Sequence, residues 1–303
     1  MFSRRDFLKT STIVPFVCGP FFSGTVFAEK SADIGVAQGT DIESIVRAAV
    51  ASVGGIGAYV KKGDRVIIKP NLSFASPPER GATTNPEVLN AVMKLCIDAG
   101  AQQVMVVDHP LQQASIIVTK SAVAQVVKNT QHAVLILATT ENLYEETPIP
   151  QGKTMKSTQT VKILKEADVL INLPVAKNHS ATFVSLGIKG NLGLVYDRVA
   201  FHNSSNFLQS LADLATIIKA DLTIVDAVRA LTTRGPQGPG TVVKLDTIVA
   251  GVDPVAVDAY ATELTPWNNR AAKGSNIQYL KYAAEMGLGE IDPSKLTVVK
   301  NIL

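Results

Sequence analysis

Beyond residue 30 the chain alternates short apolar, β-branched runs with longer amphipathic runs of helical period. That alternation predicts βαβ units laid around a mostly parallel sheet. Residues 34–37 read as a first strand, and Asp41 as the cap of a helix running toward Ala58. Residues 65–69 form a second strand, stopped by Pro70. A Pro-rich loop from Leu72 to Asn85 leads into a helix over 86–99, with proline at its first position and Gly100 at its end. A strand at 103–108, a helix near 115–128 and a strand at 133–137 follow.

Between Thr139 and Thr160 the periodicity fades and no element is assigned. Residues 168–173 read as a buried strand, followed by a long glycine-containing loop through Asn191, Gly193 and Asp197. A helix over 206–220, a buried strand at 222–226, a Gly/Pro loop at 235–240 and a strand at 242–250 come next. Helices at 254–264 and 276–286 precede a last strand at 296–299. The expected fold is α/β, a mostly parallel β-sheet flanked by helices in Rossmann-like layers. With no fixed-period repeat and no low-complexity linker, one domain over 29–303 is the simplest organisation.

The first 28 residues follow a different logic. Ser3-Arg4-Arg5-Asp6-Phe7-Leu8-Lys9, an uncharged stretch from Thr10 to Phe27 and a Val26-Phe27-Ala28 exit match a twin-arginine signal peptide. Such a segment is an address read by the twin-arginine translocase, which carries folded proteins, and it implies a periplasmic or secreted protein beginning near Glu29. The alternative is an N-terminal membrane anchor, for which the stretch is short and interrupted by Pro15, Gly19, Pro20 and Gly24. Without the leader the formal charge falls from +3 to about +1. No basic run with interleaved aromatics is present, so nucleic acid is not an expected partner. Loss of Cys18 with the leader leaves Cys96 alone on an apolar helix face. An intrachain disulfide, a cysteine zinc site and an intrinsic iron–sulfur cluster, which takes about four thiolates, are therefore not expected.

Ligands of open parallel sheets gather beyond the carboxyl ends of the strands. Four predicted ends are polar: Lys69-Pro70-Asn71, Asp108-His109-Pro110, Asn172 with Lys177-Asn178-His179-Ser180 after it, and Asp226 with Arg229. In a parallel sheet they share one rim and could supply an anion clamp, an acid–base pair or metal ligands. The plain alternative is that strand ends meet solvent and are polar for that reason. A lysine directly after a buried strand is held near the sheet, which favours function for Lys69 and Lys177. Lys189 sits among Gly187, Gly190 and Gly193, where backbone can approach a ligand closely. Thr84 and Asn85 precede a helix N-terminus suited to an anion, although Asn85 also reads as an ordinary cap. Walker, dinucleotide and nucleophile-elbow spacings are absent.

Taken together, Val66 to Leu72, Thr83 to Val88, Asn172-Leu173-Pro174 with Lys177 and His179, Leu186 to Gly193, and Ala250 to Asp258 resemble the family catalogued as domain of unknown function 362. The resemblance implies association with iron–sulfur proteins, some members carrying a ferredoxin-like module that this chain lacks. An electron-transfer role would then need a separate iron–sulfur protein. Where the family often shows Lys-Asn, this chain has Lys189-Gly190-Asn191.

The expected function is an enzyme or redox-enzyme subunit acting on a small anionic molecule at the strand ends, its cofactor unknown. Lys69, Lys177 and Lys189 would hold the anion, with Thr84 and Arg229 at the same rim. Asn71 and Asn191 would orient it, and His179 with Asp108 or Asp226 would move protons. A metal is not assigned. The alternative is a non-catalytic periplasmic ligand-binding or assembly protein using the same rim. Protein purified from the periplasm of its host is expected to show an intact mass beginning near Glu29; the full-length mass would mark a retained leader.

Overall fold

Helices cover both faces of the central sheet, which is why its inner strands are apolar on both sides. The structure, a computed structural model, describes residues 31–303. The twin-arginine leader assigned to 1–28 lies outside the described residues. In chain order the strands are β1 (Ile34–Gln38), β2 (Arg65–Pro70), β3 (Gln103–Asp108), β4 (Ala133–Leu137), β5 (Tyr144–Pro148), β6 (Ser157–Val161), β7 (Val169–Leu173), β8 (Val175–His179), β9 (Phe183–Ser185), β10 (Leu222–Leu231), β11 (Val242–Gly251) and β12 (Val298–Ile302).

The main path of the sheet runs β12-β1-β11-β10-β7-β2-β3-β4. From β10 to β4 all neighbours are parallel, as the alternating pattern predicts. β11 runs antiparallel to both β1 and β10, and β12 returns parallel to β1. After Pro174 the chain re-enters as β8, which pairs with the outer half of β10 and carries β9 antiparallel beside it.

Successive residues of β2 point to opposite faces. Val66 and Ile68 pack with Ile45, Val50, Leu89 and Met93 from the helices Ile42–Ser52 and Pro86–Asp98. Ile67 belongs to the other core, with Leu211, Val257 and Leu280 from the helices Phe207–Ala215, Pro254–Thr262 and Gln278–Glu285. Each such fully buried side chain contributes about 1.5–3 kcal/mol. Cys96 lies in the first of these cores, and burial pushes its thiol up to about 12.

Several expected elements differ in extent. The first helix stops at Ser52 because Gly54 and Gly55 take positive φ, and a separate turn covers Ile56–Tyr59. The helix read near 115–128 is two, Ala114–Lys120 and Val123–Asn129, divided where Ala122 turns left-handed at φ 59°. β10 runs beyond 226 because β8 and β11 flank its outer half. The loop read after β7 contains β8 and β9.

The unassigned stretch holds the β5–β6 hairpin, a separate two-stranded sheet. Its connection is fixed from about 60 residues away by Asp213, which is fully buried. The Asp213 carboxylate accepts the backbone N–H groups of Lys153 (2.9 Å), Thr154 (2.6 Å) and Met155 (2.8 Å), and the side-chain amide of Gln209 (2.9 Å). Asp213→Ala strands these donors, and a loss of about 3 kcal/mol in urea unfolding is expected; an unchanged midpoint would refute the clamp.

Candidate functional site

The carboxyl ends of β2 and β3 meet in a buried ion pair. Lys69 Nζ lies 3.0 Å from Asp108 Oδ1, with the two side chains 3% and 0% exposed. Asp108 also accepts the backbone N–H of Leu72 (2.6 Å) and of His109 (3.0 Å), while Lys69 donates to the Pro70 carbonyl (2.5 Å). The glycine segment lies directly on this pair. A methyl group at Gly193 would overlap the Asp108 carboxylate and come 2.7 Å from Lys69 Cε and Nζ. The close approach anticipated for this segment is thus to the chain's own ion pair.

A second lysine is also committed. Lys177, 1% exposed in β8, donates to Asn71 Oδ1 (3.1 Å) and the Ala82 carbonyl (2.5 Å) and sits over the Phe74 ring. Burial, with Lys189 and Lys69 nearby, pulls its ammonium well below the usual lysine range.

Beside these groups is a cavity of about 170 Å³, lined among others by Asn71, Phe74, His179, Lys189, Arg198 and His202. Leu111, Leu192, Val199 and Pro236 give it apolar walls. A wider hollow of about 760 Å³, bordered by Arg65, Gln102, Gln103 and His132, lies at the opposite ends of β2 and β3 and gathers no buried charge.

Lys189 differs from the other two lysines. Among the described residues its ammonium has no hydrogen-bond or ion-pair partner. Burial, then the charges of Lys69 and Arg198, bring it down to about 8 against an opposing pull from Asp108. Its backbone is held firmly: Asp258 Oδ1 and Oδ2 accept the N–H groups of Gly187 (2.8 Å) and Ile188 (2.9 Å), fixing the turn Gly187–Gly190. Burial lifts the Asp258 carboxyl to about 7.

His179 is a neutral donor. Burial and the charges of Lys189 and Lys177 push its imidazole down to about 3. Because Nδ1 accepts the Ala181 N–H at 3.1 Å, the ring proton resides on Nε2. Among the described residues no hydrogen bond joins His179 directly to Asp108 or Asp226, the carboxylates read as its acid–base partners. Asp226 lies mid-strand in β10 and accepts the N–H groups of Asn85 (2.7 Å) and Val228 (3.1 Å), its carboxyl raised to about 6 by burial.

Other predicted residues hold the rim together. Thr84 Oγ1 accepts from Asn71 N and donates to the Leu173 carbonyl, both at 2.8 Å. Asn85 caps its helix by accepting the Glu87 N–H at 2.9 Å. Asn191 Oδ1 accepts from the Asn172 amide at 3.1 Å. Arg229 is partly exposed on β10, outside the cavity lining.

Arg198 is the principal residue that the sequence pattern left unassigned. It donates to the carbonyls of His109 (2.9 Å) and Pro110 (3.1 Å) and still has guanidinium N–H groups free for the cavity it lines. The available sign was Asp197, which caps the turn Arg198–His202. His202 donates from Nδ1 to the Arg198 carbonyl (2.8 Å) and stacks on Phe207. Among the described residues no group of three or more His, Cys, Asp or Glu is placed to hold a metal ion. The cavity instead gathers donors and cations.

The family described as domain of unknown function (DUF362) matches residues 66–263. A thylakoid-associated protein of Synechocystis sp. is 29% identical over 229 residues, covering 72% of this chain and 68% of its own length. The lactate racemase apoprotein of Thermoanaerobacterium thermosaccharolyticum is similar with a TM-score of 0.45 at 16% identity, over 74% of this chain and 55% of that one. This chain therefore spans about half the length of that structure.

Because Gly193 rests on the ion pair, Gly193→Ala is expected to lower unfolding stability by about 1–3 kcal/mol through overpacking. Unchanged chemical denaturation would show that the segment can lift away.

Proposed function

The chain belongs to the domain of unknown function 362 family, and from the charge of its strand-end cavity we propose that it is an enzyme acting on a small carboxylate or phosphate. The observation that carries this is Lys189, a half-buried ammonium that lines the cavity with no hydrogen-bond or ion-pair partner among the described residues, beside Arg198 and the Lys69–Asp108 pair. Removing charge from water is costly unless it is paired. A bound anion supplies the pairing. Lys189 and Arg198 would meet its charge, and Asn71 and the His179 Nε2–H would orient it. Asp108 neutralises Lys69 locally, and buried Phe74 and Leu192 lower the dielectric on the inner side of the cavity, which strengthens each interaction.

We infer that the protein works outside the cytoplasm, on the strength of the Ser3–Lys9 leader. A redox reaction here would draw electrons from a bound cofactor or a separate iron–sulfur protein, Cys96 being the one cysteine among the described residues. The lack of a joined acid–base pair around His179 favours a second reading, a ligand-binding or assembly protein. Turnover of a bound anion would decide between them.

Titration calorimetry with small carboxylates and inorganic phosphate tests the site. Lys189→Gln is expected to weaken the best binder about 10- to 100-fold, the loss of one charge-assisted hydrogen bond. In the unaltered protein, affinity should be highest while Lys189 is protonated and fall as pH rises through about 8. Lys69, Lys177, Arg198, His179, His202 and Asp108 face the same anion, so the Lys189→Gln profile separates the Lys189 limb from theirs. Affinity indifferent to Lys189→Gln would refute the proposal.

A further inference from the structure

Two of the three rim lysines are committed to fixed partners: Lys69 to Asp108 and the Pro70 carbonyl, Lys177 to Asn71 and the Ala82 carbonyl. Lys189 is committed to none among the described residues, yet it is as carefully placed as they are. Asp258 clamps the turn that carries it, and its side chain reaches a cavity with apolar walls. An ammonium that pairs with a bound anion can also lose its proton when its surroundings disfavour the charge. Burial, and then the charges of Lys69 and Arg198 against the pull of Asp108, favour the neutral amine of Lys189, a nucleophile.

Its neighbours define what that amine would attack. Arg198 has N–H groups left over after its two carbonyl bonds, and His179 offers an Nε2–H fixed by the Ala181 contact. Both suit a carboxylate held in the same small cavity as the Lys189 amine. A carbonyl directly attached to that carboxylate would be presented to the lysine. We propose that Lys189 forms a reversible imine with the carbonyl carbon of a small 2-oxo acid, whose carboxylate is held by Arg198 and His179; this rests on the anion-binding function above and narrows its substrate class.

The step balances without an added reagent. The amine nitrogen attacks the carbonyl carbon to give a carbinolamine, and the two amine hydrogens then leave with the carbonyl oxygen as water. A C=N bond replaces C=O, and nothing is oxidised or reduced. Phe74 and Leu192 are the buried apolar residues of the lining and border the imine on the inner side. The amine brought down to about 8 fits such a step. At pH 8 its neutral fraction exceeds that of an ordinary surface lysine by roughly a hundredfold.

The test uses the full described chain with pyruvate and sodium cyanoborohydride at pH 8, followed by peptide mapping. The reduced adduct is expected on Lys189 at least about tenfold above any other lysine, a conservative fraction of that ratio. Lactate, which has the carboxylate without the carbonyl, should compete and lower the labelling, so the result does not depend on a variant folding. Lys189→Gln should remove the adduct. Uniform labelling of all lysines, with pyruvate and lactate still bound in calorimetry, would overturn the imine and leave the anion site standing. Failure of both acids and of phosphate to bind would overturn the anion site as well.

Discussion

The Lys69–Asp108 pair is the interaction on which the strand-end rim depends. Moving both charges out of water costs several kcal/mol per ion, an expense offset only when geometry is close and remaining lone pairs are filled. Here the lone pairs are filled by N–H groups of Leu72 and His109, so one carboxylate fastens the exit of β2, the exit of β3 and the loop between 71 and 73. Gly193 then lays the glycine segment over the pair, and with it Lys189. Because Lys69 is neutralised locally, the field left over in the cavity comes chiefly from Lys189 and Arg198.

The polar residues at this end of the sheet divide by what they touch. Thr84, Asn85, Asp226 and Asp258 are occupied with backbone groups of loops and helix ends, replacing the water those groups would otherwise need. Asp226 in particular meets the amino end of the helix Pro86–Asp98, so the anion favoured at that terminus comes from within the chain. Lys189, Arg198 and the His179 Nε2–H retain capacity for something outside the protein.

Much of this architecture was legible in the sequence, and the failures have physical causes. β2, β3, β7 and the inner half of β10 were readable because strands buried on both faces leave unbroken β-branched runs. β8 was not, because Lys177, Asn178 and His179 are polar yet buried and erase the apolar signature. The β5–β6 connection is fixed by Asp213, a partner far away in sequence that no local window contains. For the site, the reading of a lysine after a strand singled out Lys69 and Lys177, which lie inside β2 and β8, and could not distinguish partnered from unpartnered ammonium groups. That distinction depends on Asp108, Ala82 and Asn71 arriving from other segments. Arg198 lay in a loop whose only local mark was the capping Asp197.

The sheet order also bears on when the protein can finish folding. β1, the earliest strand, sits between β11 and β12, the two latest, and Asp33 exchanges backbone and side-chain hydrogen bonds with Thr297. Among the described strands β1 must therefore wait, unpaired, until residues beyond 240 have been synthesised. Closure of this edge is a late event, long in sequence separation and correspondingly slow. A copy that stops before β12 would leave β1 with a free edge, so the outer edge of this sheet reports whether translation reached Ile302.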